Sequence, residues 1–262
     1  MTTWIKNGDL IDPAEGAVKP ADLIIEKGRI QTIAPRGTLK DIPSAVKVID
    51  ASGKWVIPGL IDMHVHLREP GHEYKETVIT GARAAAAGGF TAIACMPNTD
   101  PPNDCRSITE FILEQARRGR TARVYPIAAI TMGQKGERLT DFGDLREAGA
   151  VGVSEDGVSV RNSQVMRRAL EYGHYHGLRV ISHCEDPLLA GDGVMHEGEV
   201  STRIGLAGIP AATEDILVYR DISLARLTRC PVHIAHVSTA TSVQLIRHAK
   251  EEGLPVTAET AP

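Results

Sequence analysis

Cysteine is scarce in this chain, long apolar runs are missing, and neither sign of charge dominates. The four cysteines, Cys95, Cys105, Cys184 and Cys230, lie far apart with no Cys-x-x-Cys spacing. That scatter excludes a disulfide framework and a thiolate zinc site. Nowhere do about 18 consecutive apolar residues occur, so no membrane-spanning helix is expected. The opening residues, Met1-Thr-Thr-Trp-Ile-Lys6, carry no apolar signal core, and a reducing cytoplasm is the expected compartment. A formal net charge of −4 with 24% charged residues argues against a nucleic-acid coat or a polybasic membrane surface. The basic cluster Arg117-Arg118-Gly119-Arg120 reads as a helix end, where positive charge complements the C-terminal dipole.

What is present is an ordinary globular composition, 42% hydrophobic over 262 residues, ample to bury a core. Residues 1–57 read as a small β module of short strands: Trp4-Ile5, Leu10-Ile11, Asp22–Glu26, Arg29–Ile33 and Val46–Asp50. Asn7-Gly8, Lys27-Gly28 and Ser52-Gly53 are the turn signals between and after them. Residues 58–262 alternate strands with helices, as parallel βαβ units do. Seven strands are expected, running to His66, Met96, Ala129, Val153, His183, His236 and Glu259, with the first helix over Lys75–Ala87. A barrel and an open, doubly wound sheet both fit that alternation. The barrel is preferred because His64, His66, Asn98, Asp156, His183 and His236 fall at or just past C-terminal strand ends, where barrel enzymes build their sites.

The segment Pro58-Gly-Leu-Ile-Asp-Met-His-Val-His-Leu-Arg68 reads as a buried strand ending in histidines at i and i+2. On a strand, that spacing points His64 and His66 to one face and turns Val65 into packing. Alone, the pair fits two satisfied core histidines as well as it fits a metal site. Ser182-His183-Cys184-Glu185 and Ala235-His236-Val237-Ser238 each add a histidine at a strand end, making four imidazoles at one barrel mouth. Neutral imidazole is a preferred ligand for zinc-like divalent ions. His72, His174, His176 and His248 read as surface residues, His233 could also face the mouth, and His196 lies in a long loop near the expected substrate position.

Pro58–Gly71, followed by Gly88-Gly-Phe-Thr91 and Met96-Pro-Asn-Thr99, closely resembles the metal-dependent cyclic amidohydrolases, specifically the bacterial long-chain (type I) dihydroorotases. The resemblance implies a (β/α)₈ TIM barrel with a β-sandwich module at 1–57. It implies one or two zinc ions held by His64, His66, His183, His236 and an aspartate that lines up with Asp156 in Gly152-Val-Ser-Glu-Asp-Gly157. A carboxylated lysine, used by many relatives at that strand end, has no counterpart here, since the nearest preceding lysine is Lys135. Glu155 is the competing carboxylate, and an Asp-Gly turn the plainer reading of the dipeptide. The implied reaction is the reversible hydrolysis of dihydroorotate to N-carbamoyl-aspartate in pyrimidine biosynthesis. Arg68, two residues beyond His66, would grip the substrate carboxylate through its guanidinium fork, and Asn98 would add an amide hydrogen bond.

Family barrels carry an eighth strand whose aspartate serves as metal ligand and general acid/base, and no such strand precedes Pro262. A seven-stranded barrel would leave two unpaired edges. The expectation is therefore that a further segment or subunit supplies closure, and that this chain alone holds metal yet turns over little. A homo-oligomer is expected, and an aspartate transcarbamoylase is a possible partner. Two alternatives stand: a non-catalytic subunit that binds such a transcarbamoylase, and a hydantoinase or allantoinase, whose substrates lack the carboxylate that Arg68 would bind.

Overall fold

Strand segments joined by left-handed turn residues build the first part of the chain, and strand–helix repeats build the rest. The computed structural model describes residues 2–40 and 45–261, which divide into two units, Met1–Leu60 and Ile61–Pro262. In the first unit, β1 (Thr2–Asp12), β2 (Ala17–Glu26), β3 (Arg29–Pro35), β4 (Val46–Asp50) and β5 (Trp55–Val56) make a single sheet. Its order is β3-β2-β1-β4, with β5 also on β1. Lys27 (φ 49°) and Gly28 (φ 74°) join β2 to β3 with the two positive φ values that a tight hairpin needs.

The Asn7-Gly8 turn expected between two short strands does not form. β1 runs through it as one strand with a register shift between Ile5 and Gly8. Asn7 takes the left-handed conformation (φ 65°), and its N–H donates to the buried Asp22 Oδ1 at 2.8 Å. The turn residue is thus absorbed as a bulge. Gly8 is obligatory there, because a Cβ would lie 2.4 Å from Val56 Cγ2.

From Leu60 onward the elements are β6 (Leu60–Val65), α1 (Val78–Ala87), β7 (Phe90–Cys95), α2 (Arg106–Gly119), β8 (Arg123–Ala129), a 3₁₀ turn (Met132–Gln134), α3 (Phe142–Ala148), β9 (Gly152–Ser154), α4 (Ser163–His176) and β10 (Arg179–Ser182). An excursion follows with α5 (Pro187–Ala190), β11 (Met195–His196), α6 (Glu199–Ile204) and β12 (Gly208–Ile209), its two strands pairing in parallel. Then come α7 (Ala212–Thr228), β13 (Val232–Ile234), α8 (Ala240–Glu251) and β14 (Val256–Ala258). Side-chain caps fix the helix starts. Thr77 accepts from Thr80 N, which moves the start of α1 from the expected Lys75 to Val78, and Asn162 and Thr239 cap α4 and α8 likewise. None of the described helices is long and apolar enough to cross a membrane.

The seven main strands pair in the order β6-β7-β8-β9-β10-β13-β14, which is simply their order along the chain. A doubly wound sheet starts in its middle and reverses direction. No reversal occurs here, so the strands form a barrel wall. Alternation sorts the side chains along it: Val180 lies in the cluster with Met166, Leu170, Val218 and Ile222 from the helices, whereas Ile181 joins Met96, Ile127 and Ala235 on the opposite face. β6 departs from the buried strand expected for it. Leu60, Ile61 and Met63 are 40%, 66% and 51% exposed, because β6 is the end member of the order and only Val65 packs, against the cluster of Leu67, Val78 and Ile93.

A buried ion pair fastens α7 behind β10. Asp221 accepts from Ser182 Oγ at 2.6 Å and from Arg220 Nε at 2.8 Å, while Arg220 also donates to the Val160 carbonyl in the loop after β9. Removing one member of such a pair strands the other charge in the interior. We expect Asp221→Ala to lower stability by about 3–5 kcal/mol, whereas Arg226→Ala, which breaks a half-exposed pair with Glu252, should cost about 0–1 kcal/mol. Urea unfolding of the two variants measures the contrast.

Candidate metal centre

Each strand end along the barrel mouth delivers a polar side chain. His64 lies within β6 and His66 one residue past it, Asn98 follows β7, Glu155 and Asp156 follow β9, His183 follows β10, His236 follows β13, and Glu259 follows β14. Two sets of ligand atoms converge, His64/His66/Asp156 and Asp156/His183/His236, each set lying within 4.8 Å. Asp156 belongs to both. Its Oδ1 is 3.2 Å from His64 Nε2, 3.7 Å from His183 Nδ1 and 3.7 Å from His236 Nε2, and its Oδ2 is 3.7 Å from His66 Nε2. His183 Nδ1 and His236 Nε2 stand only 2.8 Å apart.

Local backbone chemistry explains how the chain aims these groups. Asp156 and Gly157 do form a turn, Gly157 being left-handed at φ +81°, so the plain turn reading and the site reading are both true. Glu155 is drawn the other way. It is buried, and accepts from Ile130 N, Thr131 N and the Thr131 hydroxyl, with burial raising its pKa. Of the two carboxylates, Asp156 is the one that faces the histidines. His236 is the least expected member. By alternation it shares a side with Val232 and Ile234, which pack outward, yet it sits at φ 35° with its ring in the cluster. A β-to-left-handed switch at a non-glycine residue costs about 1–3 kcal/mol and is held in place by its surroundings.

Two residues expected to touch substrate need qualification. Asn98 already uses both ends of its amide, with Oδ1 2.9 Å from His66 Nδ1 and Nδ2 donating to Asp156 Oδ2 at 2.9 Å. It ties His66 to Asp156, and one N–H and one oxygen lone pair are left for a further contact. Arg68 was placed by extending strand alternation past His66, but β6 ends at Val65 and Arg68 is left-handed at φ 60°. Its charge is nevertheless felt at His66, and among the described residues it has no carboxylate partner. His196 lines a pocket of about 230 Å³ with Met195, Pro210 and His236, and a second pocket of about 410 Å³ brings Lys135, Arg161 and Asn162 beside His183.

Sequence reasoning missed Glu259 and gave His233 no role. Glu259 Oε1 is 2.7 Å from His64 Nδ1, and Oε2 is 3.3 Å from Nε2 of the buried His233. The signal was available, since Glu259 falls at a strand end like the other site residues. Its contact with His64 also joins side chains from β6 and β14, the two ends of the strand order, so the sheet curls until its ends meet at the mouth.

The protonation states follow from this crowding. Burial opposes charge on His64, but hydrogen bonds to Asp156 and Glu259 outweigh it and push the imidazole up to about 9. Burial and the neighbouring His236 push His183 down to about 4, and burial chiefly lowers His66. Burial opposes ionisation of Asp156 too, yet the imidazoles of His236 and His64 beside it hold its carboxyl well below the usual range. An anion buried among imidazoles, two of them biased neutral, is a donor set that fits a divalent metal ion.

The backbone matches the L-hydantoinase (dihydropyrimidinase) from Arthrobacter aurescens with a TM-score of 0.81 at 22% identity, covering 99% of this chain and 58% of that one. A D-hydantoinase (dihydropyrimidinase) from Thermus sp. matches at 0.70 and 25% identity, covering 98% of this chain and 57% of that one. The fold is therefore that of the amidohydrolase barrels. A family model described as dihydro-orotase-like matches residues 53–242, and the chain belongs to that family. It is 52% identical over 262 residues to the dihydroorotase of Geobacter metallireducens and 55% identical over 254 residues to that of Syntrophobacter fumaroxidans. Those alignments cover 100% and 97% of this chain but 61% and 58% of the relatives, so the chain spans about three fifths of their length.

Metal uptake should release protons. His64, with a pKa raised from 6.5 to about 9, is protonated at neutral pH in the metal-free protein, and a ligating imidazole must be neutral. Affinity for a divalent ion is therefore expected to rise with pH up to about 9. Calorimetric titrations in buffers of different ionisation enthalpy read the released proton. The same hydrogen bonds stabilise the metal-free fold fully below pH 6.5, and their contribution is lost as pH rises through about 9.

Proposed function

We propose that this chain carries the metal-binding part of a dihydroorotase, which interconverts the cyclic amide dihydroorotate and N-carbamoyl-aspartate by hydrolysis. Family membership supports the reaction class. The observation that carries the substrate is Arg68, a guanidinium without a carboxylate partner among the described residues, next to the His66 ligand position. Dihydroorotate bears a carboxylate on its ring that dihydrouracil, the same ring without it, does not.

Zinc is the proposed ion, and the two ligand sets sharing Asp156 support a pair. Bound there, such ions supply Lewis acidity and render water a competent nucleophile near neutral pH. The chain's own residues do the rest. Asp156 offers both oxygens to the histidines around it, keeping the ligands in one place and supplying the negative charge that offsets the cations. Asn98 holds His66 and Asp156 in register. Arg68 would hold the ring by its carboxylate and so limit the orientations in which the cyclic amide can reach the Asp156 cluster.

The test offers the metal-reconstituted chain dihydroorotate and dihydrouracil side by side. Metal-dependent binding that favours the carboxylate-bearing ring is expected; equal affinity for the two, or no metal-dependent binding of either, overturns the reading. Arg68→Lys should weaken dihydroorotate binding by about tenfold or more, since a charge-assisted hydrogen bond contributes about 1.5–3 kcal/mol and an ammonium cannot reproduce the fork. Its affinity for dihydrouracil should not change.

A further inference from the structure

Glu259 stands half-buried beside the cluster without belonging to either ligand set, and it is held more firmly than a bystander needs. Its N–H donates to the Ile234 carbonyl at 3.1 Å, and its own carbonyl accepts from Val237 N at 2.8 Å. The backbone of Glu259 thus brackets the turn that carries His236. Its side chain reaches across the mouth to β6, where Oε1 meets His64 Nδ1 at 2.7 Å. Behind it stands His233, 6% exposed, with Nδ1 2.9 Å from Thr257 Oγ1. His233 Nε2 is 3.3 Å from Glu259 Oε2. That contact is too poorly aligned to satisfy the nitrogen as a hydrogen bond, which otherwise has no partner, so it acts through charge and proximity.

An imidazole has two nitrogens, and an acceptor at one decides what the other can do. A carboxylate at Nδ1 keeps the proton there in the neutral ring and leaves the lone pair on Nε2. Nε2 of His64 is the atom that faces Asp156 at 3.2 Å. We propose that Glu259 is the positioning residue of the metal centre: its carboxylate fixes the tautomer and orientation of His64, and its backbone fixes the turn bearing His236. One residue just past β14 thereby braces both ligand sets. The arrangement rests on the metal reading given above. Carboxylates placed behind a ligating histidine typically change metal affinity by about 10–100-fold.

The test compares wild type, Glu259→Ala and Glu259→Gln by titration with Co²⁺ followed in the visible spectrum, with competing Zn²⁺ to set the affinity. Glu259→Ala should weaken binding by about 10–100-fold and alter the cobalt spectrum. Glu259→Gln retains an oxygen that accepts from Nδ1 and should recover most of the affinity, which a purely structural loss would not allow. Wild-type affinity and spectrum in Glu259→Ala overturn the proposal while leaving the metal reading intact. A wild-type protein that takes up no metal overturns both. Should the alanine variant not fold, ¹⁵N-labelled histidine in the metal-loaded wild type decides: a His64 ring carrying its proton on Nδ1 supports the proposal, and one carrying it on Nε2 overturns it.

Discussion

Four imidazoles converge on the Asp156 carboxylate, and its negative charge is what lets ring nitrogens as near as 2.8 Å share a half-buried mouth. Without that anion, burial would push each ring towards its neutral form and proximity would penalise any that stayed charged. With it, the rings divide: His64 is held cationic by its carboxylate neighbours, whereas burial outweighs Asp156 at His183 and His66 and lowers both. The rest of the barrel serves this geometry. The Asp221–Arg220–Ser182 network holds β10 from behind, one residue before His183, and the Glu155 clamp on Ile130 and Thr131 sets the turn that aims Asp156.

Much of this was legible because barrel sites obey a positional rule. His64, His183 and Asp156 could be picked out as polar residues ending apolar strands, and the monotonic strand order agrees with the architecture inferred from strand–helix alternation. What the residue pattern left open was backbone geometry. His236 was picked out at its strand end, yet it has the wrong parity for the mouth and reaches it only through a left-handed φ of 35°. Arg68 likewise lies beyond the end of β6, so strand alternation could not have placed it. Asn7-Gly8 carries a strong turn signature, but the Asp22 carboxylate recruits it into a continuous strand. Asn98 looked like a free amide because its partners are 32 and 58 positions away.

Fold and site carry different information here. At 22% identity the Arthrobacter hydantoinase retains the backbone with a TM-score of 0.81, so the barrel by itself does not choose among cyclic amides. On the reading proposed above, discrimination falls to a few side chains such as Arg68, since a single guanidinium can separate ring substrates differing by one carboxylate.

The contact between His64 and Glu259 joins residues 195 positions apart and the first and last strands of the sheet. Its loop-closure entropy must be met before the contact gives anything back, which places the mouth among the late and slow events of assembly. An ion that binds only the finished mouth is then a ligand of the folded state alone. At a hundredfold excess over its dissociation constant it adds about 2.7 kcal/mol to stability. On the metal reading proposed above, depletion of the ion would therefore take away stability that the empty mouth cannot supply.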